Sequence, residues 1–182
     1  MHIHDTPLTG VKIIEPDVYA DARGYFYESY NLARFSEAGI ENIFVQDNES
    51  RSARGVIRGL HYQLEPFAQT KLVRVVQGEV FDVAVDLRKG SPTYGRWFGT
   101  RLSGENKFQM LIPRGFAHGF SVLSPGVTFA YKCDQLYMKV AERGIRFNDP
   151  FLGIDWHLPE QEWVVSEKDQ SAPLFVDAEM NF

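Results

Sequence analysis

The sequence predicts an all-β protein, a sandwich or jelly roll in a single domain spanning residues 1–182. Three observations lead there. Hydrophobic residues make up 44% of the 182, enough for a sizeable core and too many for a disordered chain. Aromatics reach 14%, and 15 Gly with 9 Pro punctuate the chain, a mixture that suits sheets and turns better than a helical bundle. Short apolar or alternating runs recur at regular spacing between those turns.

The elements follow in order. His2 and His4 would share a face if residues 1–5 were extended and could then form a metal pair, but an exposed, frayed terminus is the reading adopted. Residues 11–19 and 25–30 read as strands around a turn at Asp21-Ala-Arg-Gly24. Asn31 can cap a short helix, 32–38, ended by Gly39. Residues 43–48 are extended again. A stretch then follows, Arg54-Gly-Val-Ile-Arg-Gly-Leu-His-Tyr-Gln63, whose apolar residues favour a strand but which also holds Arg58 and His61. Buried cations are costly unless paired, so this strand should line a pocket. Residues 58 and 61 have opposite parity, and a bulge at Gly59 is needed if both are to face it.

Residues 70–77 and 79–87 are expected to pair through Gly78 as a hairpin. In the second strand Phe81, Val83, Val85 and Leu87 share one face, toward a core, and Asp82, Ala84 and Asp86 the other. Further strands are expected at 97–102, 108–112, 118–123 and 127–133, separated by turns at Ser103-Gly104, Pro113-Arg-Gly115 and Ser124-Pro-Gly126. Residues 134–182 are weakly patterned and should wrap the barrel with irregular or short helical structure. His157 is read as structural or surface.

Net charge is −5 with Lys and Arg scattered, so no basic face for nucleic acid is expected. Cys133 is the single cysteine, which excludes an internal disulfide and is usual for a cytoplasmic protein. No signal-peptide pattern or membrane-length apolar run is seen, so no membrane partner is expected.

Two spacings resemble the cupin superfamily, Gly55 followed by His61 and Pro113-Arg-Gly-Phe-Ala-His118. Metal-binding cupins carry His-x-His and a downstream Glu. Here the pair is His61-Tyr-Gln63, and Glu65 comes too soon. Losing such ligands weakens a transition-metal site severely, so a cupin barrel without a metal is the reading.

Nine motifs, two of them containing parts of these spacings, stand in order between residues 21 and 169. They are Asp21-x-Arg-Gly24, Phe26-x-Glu-Ser-Tyr30, Val45-Gln-Asp-Asn-x-Ser50, Arg58-Gly-Leu-His-Tyr-Gln63, Lys71-Leu-Val73, the run from Gly78 to Arg88, Ile112-Pro-x-Gly-Phe-Ala-His-Gly-Phe120, Tyr131-Lys132 and Ser166-x-Lys-Asp169. Together they resemble the dTDP-4-dehydrorhamnose 3,5-epimerase family. The resemblance implies a cofactor-free reaction of dTDP-L-rhamnose synthesis, in which dTDP-4-dehydro-6-deoxy-D-glucose is inverted at C3 and C5. A relative inverting C3 alone, a ketoisomerase and a non-catalytic sugar-nucleotide-binding cupin are the alternatives.

Protons beside a ketone are removable when a base is placed and the enolate oxygen is stabilised. Imidazole commonly titrates near neutrality, which suits His61 to the base role. By resemblance Asp169 supports His61, Lys71 sets positive charge near the enolate, and Tyr131 returns a proton on the opposite face. Arg23, Arg58 and Lys168 would meet the diphosphate or sugar, where guanidinium contacts to phosphate are favourable. Glu28, Gln46, Asp47, Asn48, His118 and Glu142 are carried over as polar ligand contacts, and Tyr137 and Phe26 as candidates to stack on thymine. The sequence departs from the family pattern at Thr70, where glycine usually precedes the lysine, and over residues 134–140. The resemblance also implies a homodimer whose N-terminal strands extend the partner's sheet, so that Arg23 and Glu28 serve the neighbour's site.

Overall fold

The structure, a computed structural model, describes residues 1–182. Strands β1 (His2–Asp5), β2 (Lys12–Glu15), β3 (Tyr19–Asp21) and β4 (Gly24–Phe26) precede helix α1 (Leu32–Glu37). Eight strands follow: β5 (Gln46–Ala53), β6 (Val56–Gln63), β7 (Lys71–Gln77), β8 (Glu79–Asp86), β9 (Trp97–Ser103), β10 (Gln109–Ile112), β11 (Phe116–Val122) and β12 (Gly126–Cys133). The remainder holds only β13 (Glu142–Gly144), β14 (Val164–Val165), α2 (Glu167–Gln170) and short 3₁₀ turns.

One sheet runs β1-β2-β10-β7-β12-β5 and the other β13-β6-β11-β8-β9, with β14 added parallel to β6. The two pack face to face in the jelly-roll manner that the alternating strands predict. Val73, Val75, Val127 and Phe129 of the first sheet meet Val80, Ala84, Phe120 and Val122 of the second. Fully burying a side chain such as Phe129 contributes roughly 2 kcal/mol. Both outer faces are also covered. Phe35 and Ile40, from α1 and the turn after it, sit on Leu72 and Leu111 of the first sheet. The C-terminal stretch lays Ile145, Phe147, Trp156 and Phe175 over Ile57, Phe81, Val83 and Val85 of the second. The wrapping role expected of that stretch is what it performs.

Four expectations change. The strands β7 and β8 are not a hairpin, since β7 pairs with β10 and β12 while β8 pairs with β11 and β9. Gly78 instead turns the chain from one sheet to the other. At its φ of +86 an added Cβ would lie 2.2 Å from the Gly126 carbonyl oxygen, so a side chain has no room there. The apolar face of β8 consequently points outward to the C-terminal cover, and its Asp82 and Ala84 point into the sandwich.

Residues 1–5 are not frayed, because β1 pairs with β2 in register His2↔Glu15 through Asp5↔Lys12, and His4 Nε2 lies 2.9 Å from Glu15 Oε2. Residues 27–30 leave the strand conformation after Phe26, and β5 begins only at Gln46. Asn31 caps α1 as expected, its side chain accepting from the Arg34 N–H. No helix is long and apolar enough to cross a membrane.

Candidate active site

The bulge foreseen at Gly59 is present. In the β6–β11 pairing His61 stands opposite His118, but Arg58 stands opposite Phe120, so three steps on β6 match two on β11. The extra residue restores a common side for Arg58 and His61. Gly59 takes φ +120 there, and an added Cβ would lie 2.6 Å from Gly119 Cα. Arg58 Nε donates to Ser52 Oγ at 3.1 Å.

The cavity lies between the sheets at the end where β6, β7, β11, β12 and β5 converge. Gln46, Asn48, Arg58, His61, Lys71, His118, Tyr131, Tyr137 and Glu142 all line it, together with Gln63 and Cys133. His61 comes from one sheet, whereas Lys71 and Tyr131 come from the other. The imidazole and the phenol thus stand on facing sheets of one cavity.

Asp169 stands behind His61, its Oδ1 2.6 Å from His61 Nε2, while its Oδ2 accepts from the Gly59 N–H at 3.3 Å. The local sequence puts it there, because Ser166 caps α2 by accepting the Asp169 N–H, which fixes Asp169 in the first turn. Burial pushes the Asp169 carboxyl pKa up. Hydrogen bonds from His61, Gly59 and Ser166, with the charge of His61, outweigh burial and leave it below the ordinary value.

A second imidazole–carboxylate pair lies deeper. His118 Nε2 is 3.0 and 3.1 Å from the two oxygens of Asp82, which is wholly buried. Burial pushes the Asp82 pKa up and the His118 pKa down, each opposed by the other's charge. Burial likewise lowers the Lys71 pKa, against the opposing charges of Cys133, Asp82 and Glu142. Burial first, and the Cys133 and Glu142 charges next, raise the Tyr131 pKa, so its phenol stays protonated at neutral pH. Lys168 Nζ sits 2.7 Å from Glu142 Oε2, and the Tyr137 hydroxyl donates to that same oxygen at 3.0 Å.

Asp169 and Lys168 reach this cavity through His61 and Glu142, and four further residues named from the sequence lie apart from it. Asp47 is the odd member between Gln46 and Asn48, so strand alternation turns its side chain to the outer face, where it pairs with Lys132 at 2.8 Å. Arg23 and Phe26 are on the exposed β3–β4 hairpin; Arg23 pairs with Asp21 at 2.6 Å and its side chain is 90% exposed. Glu28 lies just beyond β4 and pairs with Arg34 at 2.9 Å.

Asp82 and Gly59 are the contributors that sequence reasoning passed over. A carboxylate in the middle of a strand, opposite its apolar face, was the available signal for Asp82. Gly59 was expected as a bulge, but nothing in the sequence marks its N–H as a support for Asp169. No cluster of three or more His, Cys, Asp or Glu side chains forms a metal cage. Gln63 Nε2 and Oε1 bond only to peptide groups, those of Phe67, Leu136 and Met138.

The two departures from the family pattern meet in space. The Thr70 N–H donates to Asp134 Oδ1 at 2.7 Å, and the Asp134 N–H donates to the Thr70 carbonyl at 3.2 Å.

Known proteins resemble this chain in sequence and in fold. The family model described as dTDP-4-dehydrorhamnose 3,5-epimerase matches residues 5–177. The 3,5-epimerase of Pseudomonas aeruginosa is 58% identical over 93% of this chain and 93% of its own length. That of Shigella flexneri is 54% identical over 98% of each. A crystal structure of the Legionella pneumophila 3,5-epimerase with dTDP-4-keto-L-rhamnose is 55% identical, with TM-score 0.93 over 97% of this chain and 93% of that one.

The chain belongs to the dTDP-4-dehydrorhamnose 3,5-epimerase family.

Proposed function

We propose that this member of the family inverts C3 and C5 of dTDP-4-dehydro-6-deoxy-D-glucose to give dTDP-4-dehydro-L-rhamnose, with His61, Asp169, Lys71 and Tyr131 as the proton-transfer set. The observation that carries the reading is the placement of His61 and Tyr131 on facing sheets of one cavity, with Lys71 beside them.

With Nε2 engaged by Asp169, the other ring nitrogen of His61 is free to take a proton from the carbon next to the ketone. The electron pair moves into the C4 carbonyl, forming an enolate whose oxygen gains negative charge near the Lys71 ammonium. Asp169 supports the imidazolium formed in this step. The Tyr131 hydroxyl then gives its proton to the opposite face of the same carbon, and the ketone re-forms with inverted configuration. Exchange with water returns a proton to Tyr131 and removes one from His61, so the cycle repeats at the second carbon without a net redox change. Inversion needs a base on one face and a proton donor on the other, since a base alone would return its proton where it found it.

Arg58, His118, Gln46, Asn48, Glu142 and Lys168 are proposed to hold the sugar and diphosphate, and Tyr137 to flank the thymine. The pair formed by Lys168 and Glu142 keeps the lysine at the cavity mouth. Arg23, Phe26 and Glu28 are proposed to act in a partner's cavity within a homodimer. Two features support this. The β3–β4 hairpin exposes Tyr19, Tyr25 and Phe26, and β5, which carries Gln46 and Asn48, is an unpaired sheet edge beside the cavity. Added to that edge, a neighbour's hairpin would bring its arginine toward the site. Work on a nucleotide-linked sugar in the cytoplasm is part of the same reading, supported by the free thiol of Cys133.

The test is proton NMR of the purified protein with dTDP-4-dehydro-6-deoxy-D-glucose in heavy water. Deuterium should enter at both C3 and C5. Label at C3 alone would make the protein a monoepimerase. A His61→Ala variant that kept the normal exchange rate would remove His61 from the base role. For the dimer, mixing inactive Arg23→Ala and His61→Ala proteins should restore part of the activity, because one site of a mixed dimer regains both residues.

A further inference from the structure

Gln63 makes three hydrogen bonds that play no part in proton transfer. It follows His61 by two residues on β6, so both side chains point to the same side of the sheet. Its Nε2 donates to the Phe67 carbonyl at 2.6 Å and to the Leu136 carbonyl at 3.3 Å, and its Oε1 accepts from the Met138 N–H at 2.6 Å. At 4% exposure the amide is spent on these contacts.

The segment it grips, residues 136–138, belongs to no helix or strand, so its peptide groups need partners from elsewhere. Glutamine side chains supply them. Gln46 Oε1 accepts from the Tyr137 N–H at 3.0 Å, and Gln69 Nε2 donates to the Gln135 carbonyl at 2.7 Å. Four consecutive residues, 135 to 138, thus each have a peptide group held by the amide of Gln46, Gln63 or Gln69. Gln63 is the one member that shares a strand with His61 and that holds two points of the segment, one on each side of Tyr137. The Tyr137 ring rises from this held backbone to form one wall of the cavity, its hydroxyl tied to Glu142.

We propose that Gln63 is a positioning residue that sets the Tyr137 wall relative to His61, and thereby sets affinity for the nucleotide end of the ligand while leaving proton transfer alone. This rests on the reading that Tyr137 flanks the base. The position that would carry a metal ligand in other cupins here gauges the width of the site. A backbone held by several amides stays fixed without being part of a sheet, so its aromatic ring loses little freedom when a base stacks on it.

The test combines dTDP titration calorimetry with steady-state kinetics on Gln63→Leu, Gln63→Glu, Tyr137→Ala and the Gln63→Leu/Tyr137→Ala double variant. Gln63→Glu keeps the side-chain length and the bond from Met138, but turns acceptor oxygens toward the Phe67 and Leu136 carbonyls, so it tests the idea should Gln63→Leu fail to fold. Either single Gln63 variant should weaken dTDP binding about tenfold and raise KM by the same factor, with kcat within about threefold. In the Tyr137→Ala background, Gln63→Leu should change dTDP affinity no further. A fall in kcat with dTDP affinity retained would overturn the proposal, as would losses that multiply in the double variant. Tyr137→Ala with unchanged dTDP affinity is a different failure: it removes the Tyr137 reading first, and the route through Gln63 with it.

Discussion

Replacing Asp169 with asparagine tests the proposed base most directly, because the structure dictates how the new amide must sit. Oδ2 of Asp169 accepts from the Gly59 N–H at 3.3 Å, and Oδ1 lies 2.6 Å from His61 Nε2. An asparagine can satisfy Gly59 only by turning its oxygen that way, which points its NH₂ at His61. Nε2 must then accept, and the ring proton moves to the nitrogen that should receive the substrate's proton. The variant therefore loses the carboxylate charge and presents the wrong tautomer. For charge centres about 4 Å apart at an effective dielectric of about 20, the lost attraction for the imidazolium is about 4 kcal/mol. His61 has a side-chain exposure of 32%, so solvent screening reduces this, to roughly 2–3 kcal/mol.

That alone is a fall of about 10² in kcat, and the tautomer change should bring it to about 10³ or more. The assay is deuterium uptake at C3 and C5 followed by NMR, alongside calorimetric dTDP affinity and thermal unfolding. Exchange should collapse while dTDP affinity holds within about twofold, since Asp169 lies behind the imidazole rather than in the ligand's path. An exchange rate within fivefold of the unaltered enzyme would refute the assignment of Asp169 as the partner of a catalytic His61. A parallel loss of dTDP binding would show instead that the substitution had displaced α2.

Tyr131→Phe should separate exchange from inversion: His61 still removes and returns protons on its own face, so deuterium enters while the configuration is retained, and loss of both together would place Tyr131 in the removal step. Acid stability should depend on Asp86. Burial pushes its carboxyl up, but bonds from Arg88, Ser91 and Thr93 outweigh that and hold it at about 2, against an ordinary 3.8. A depressed folded pKa stabilises the fold above the unfolded value, so this contribution is whole above about pH 4 and fades as pH falls toward 2. Urea unfolding across that window should lose about 2 kcal/mol, and Asp86→Asn should flatten the slope; an unchanged slope would remove Asp86 as its source. Gly59→Ala sets a Cβ against Gly119 Cα and the His118 carbonyl at positive φ, and should cost on the order of 3 kcal/mol in denaturant titration; a cost below 1 kcal/mol would mean the bulge can relax.

The sequence carried the local decisions well. The Asn31 cap holds, and the alternation in β8 with the punctuation by Gly and Pro places strands β6 to β12 within about two residues. The parity conflict between Arg58 and His61 marks the bulge in the sequence itself, because one extra residue is the minimal way to bring both to one side. The failures lie where pairing is non-local. Residues 70–87 look like a hairpin from their own composition, yet which sheet takes each strand depends on β10, β11 and β12, tens of residues away. Residues 1–5 read as frayed because their stability comes from pairing with β2, and nothing within His2–Asp5 announces a partner. Asp47 was swept up with its neighbours by motif, although strand alternation alone predicts that it faces away from Gln46 and Asn48.

The same contrast explains how a barrel lacking a metal cage can be suited to enolate chemistry. A metal would polarise a carbonyl with a charge set by ligation geometry. In the proposed mechanism that charge is the Lys71 ammonium, whose pKa burial lowers against the opposing charges around it. One fixed cation stabilises an enolate but does not choose a face, and inversion needs both faces served. The jelly roll meets this need, because its two sheets present opposite walls of one cavity and a base and an acid can stand on different sheets. The proposed base and acid, His61 and Tyr131, do so, on β6 and β12. Gln63, two residues after His61, spends its amide on backbone. A sandwich of facing sheets is therefore more than a carrier for this chemistry, since a site built along one sheet alone would return each proton to the side from which it came.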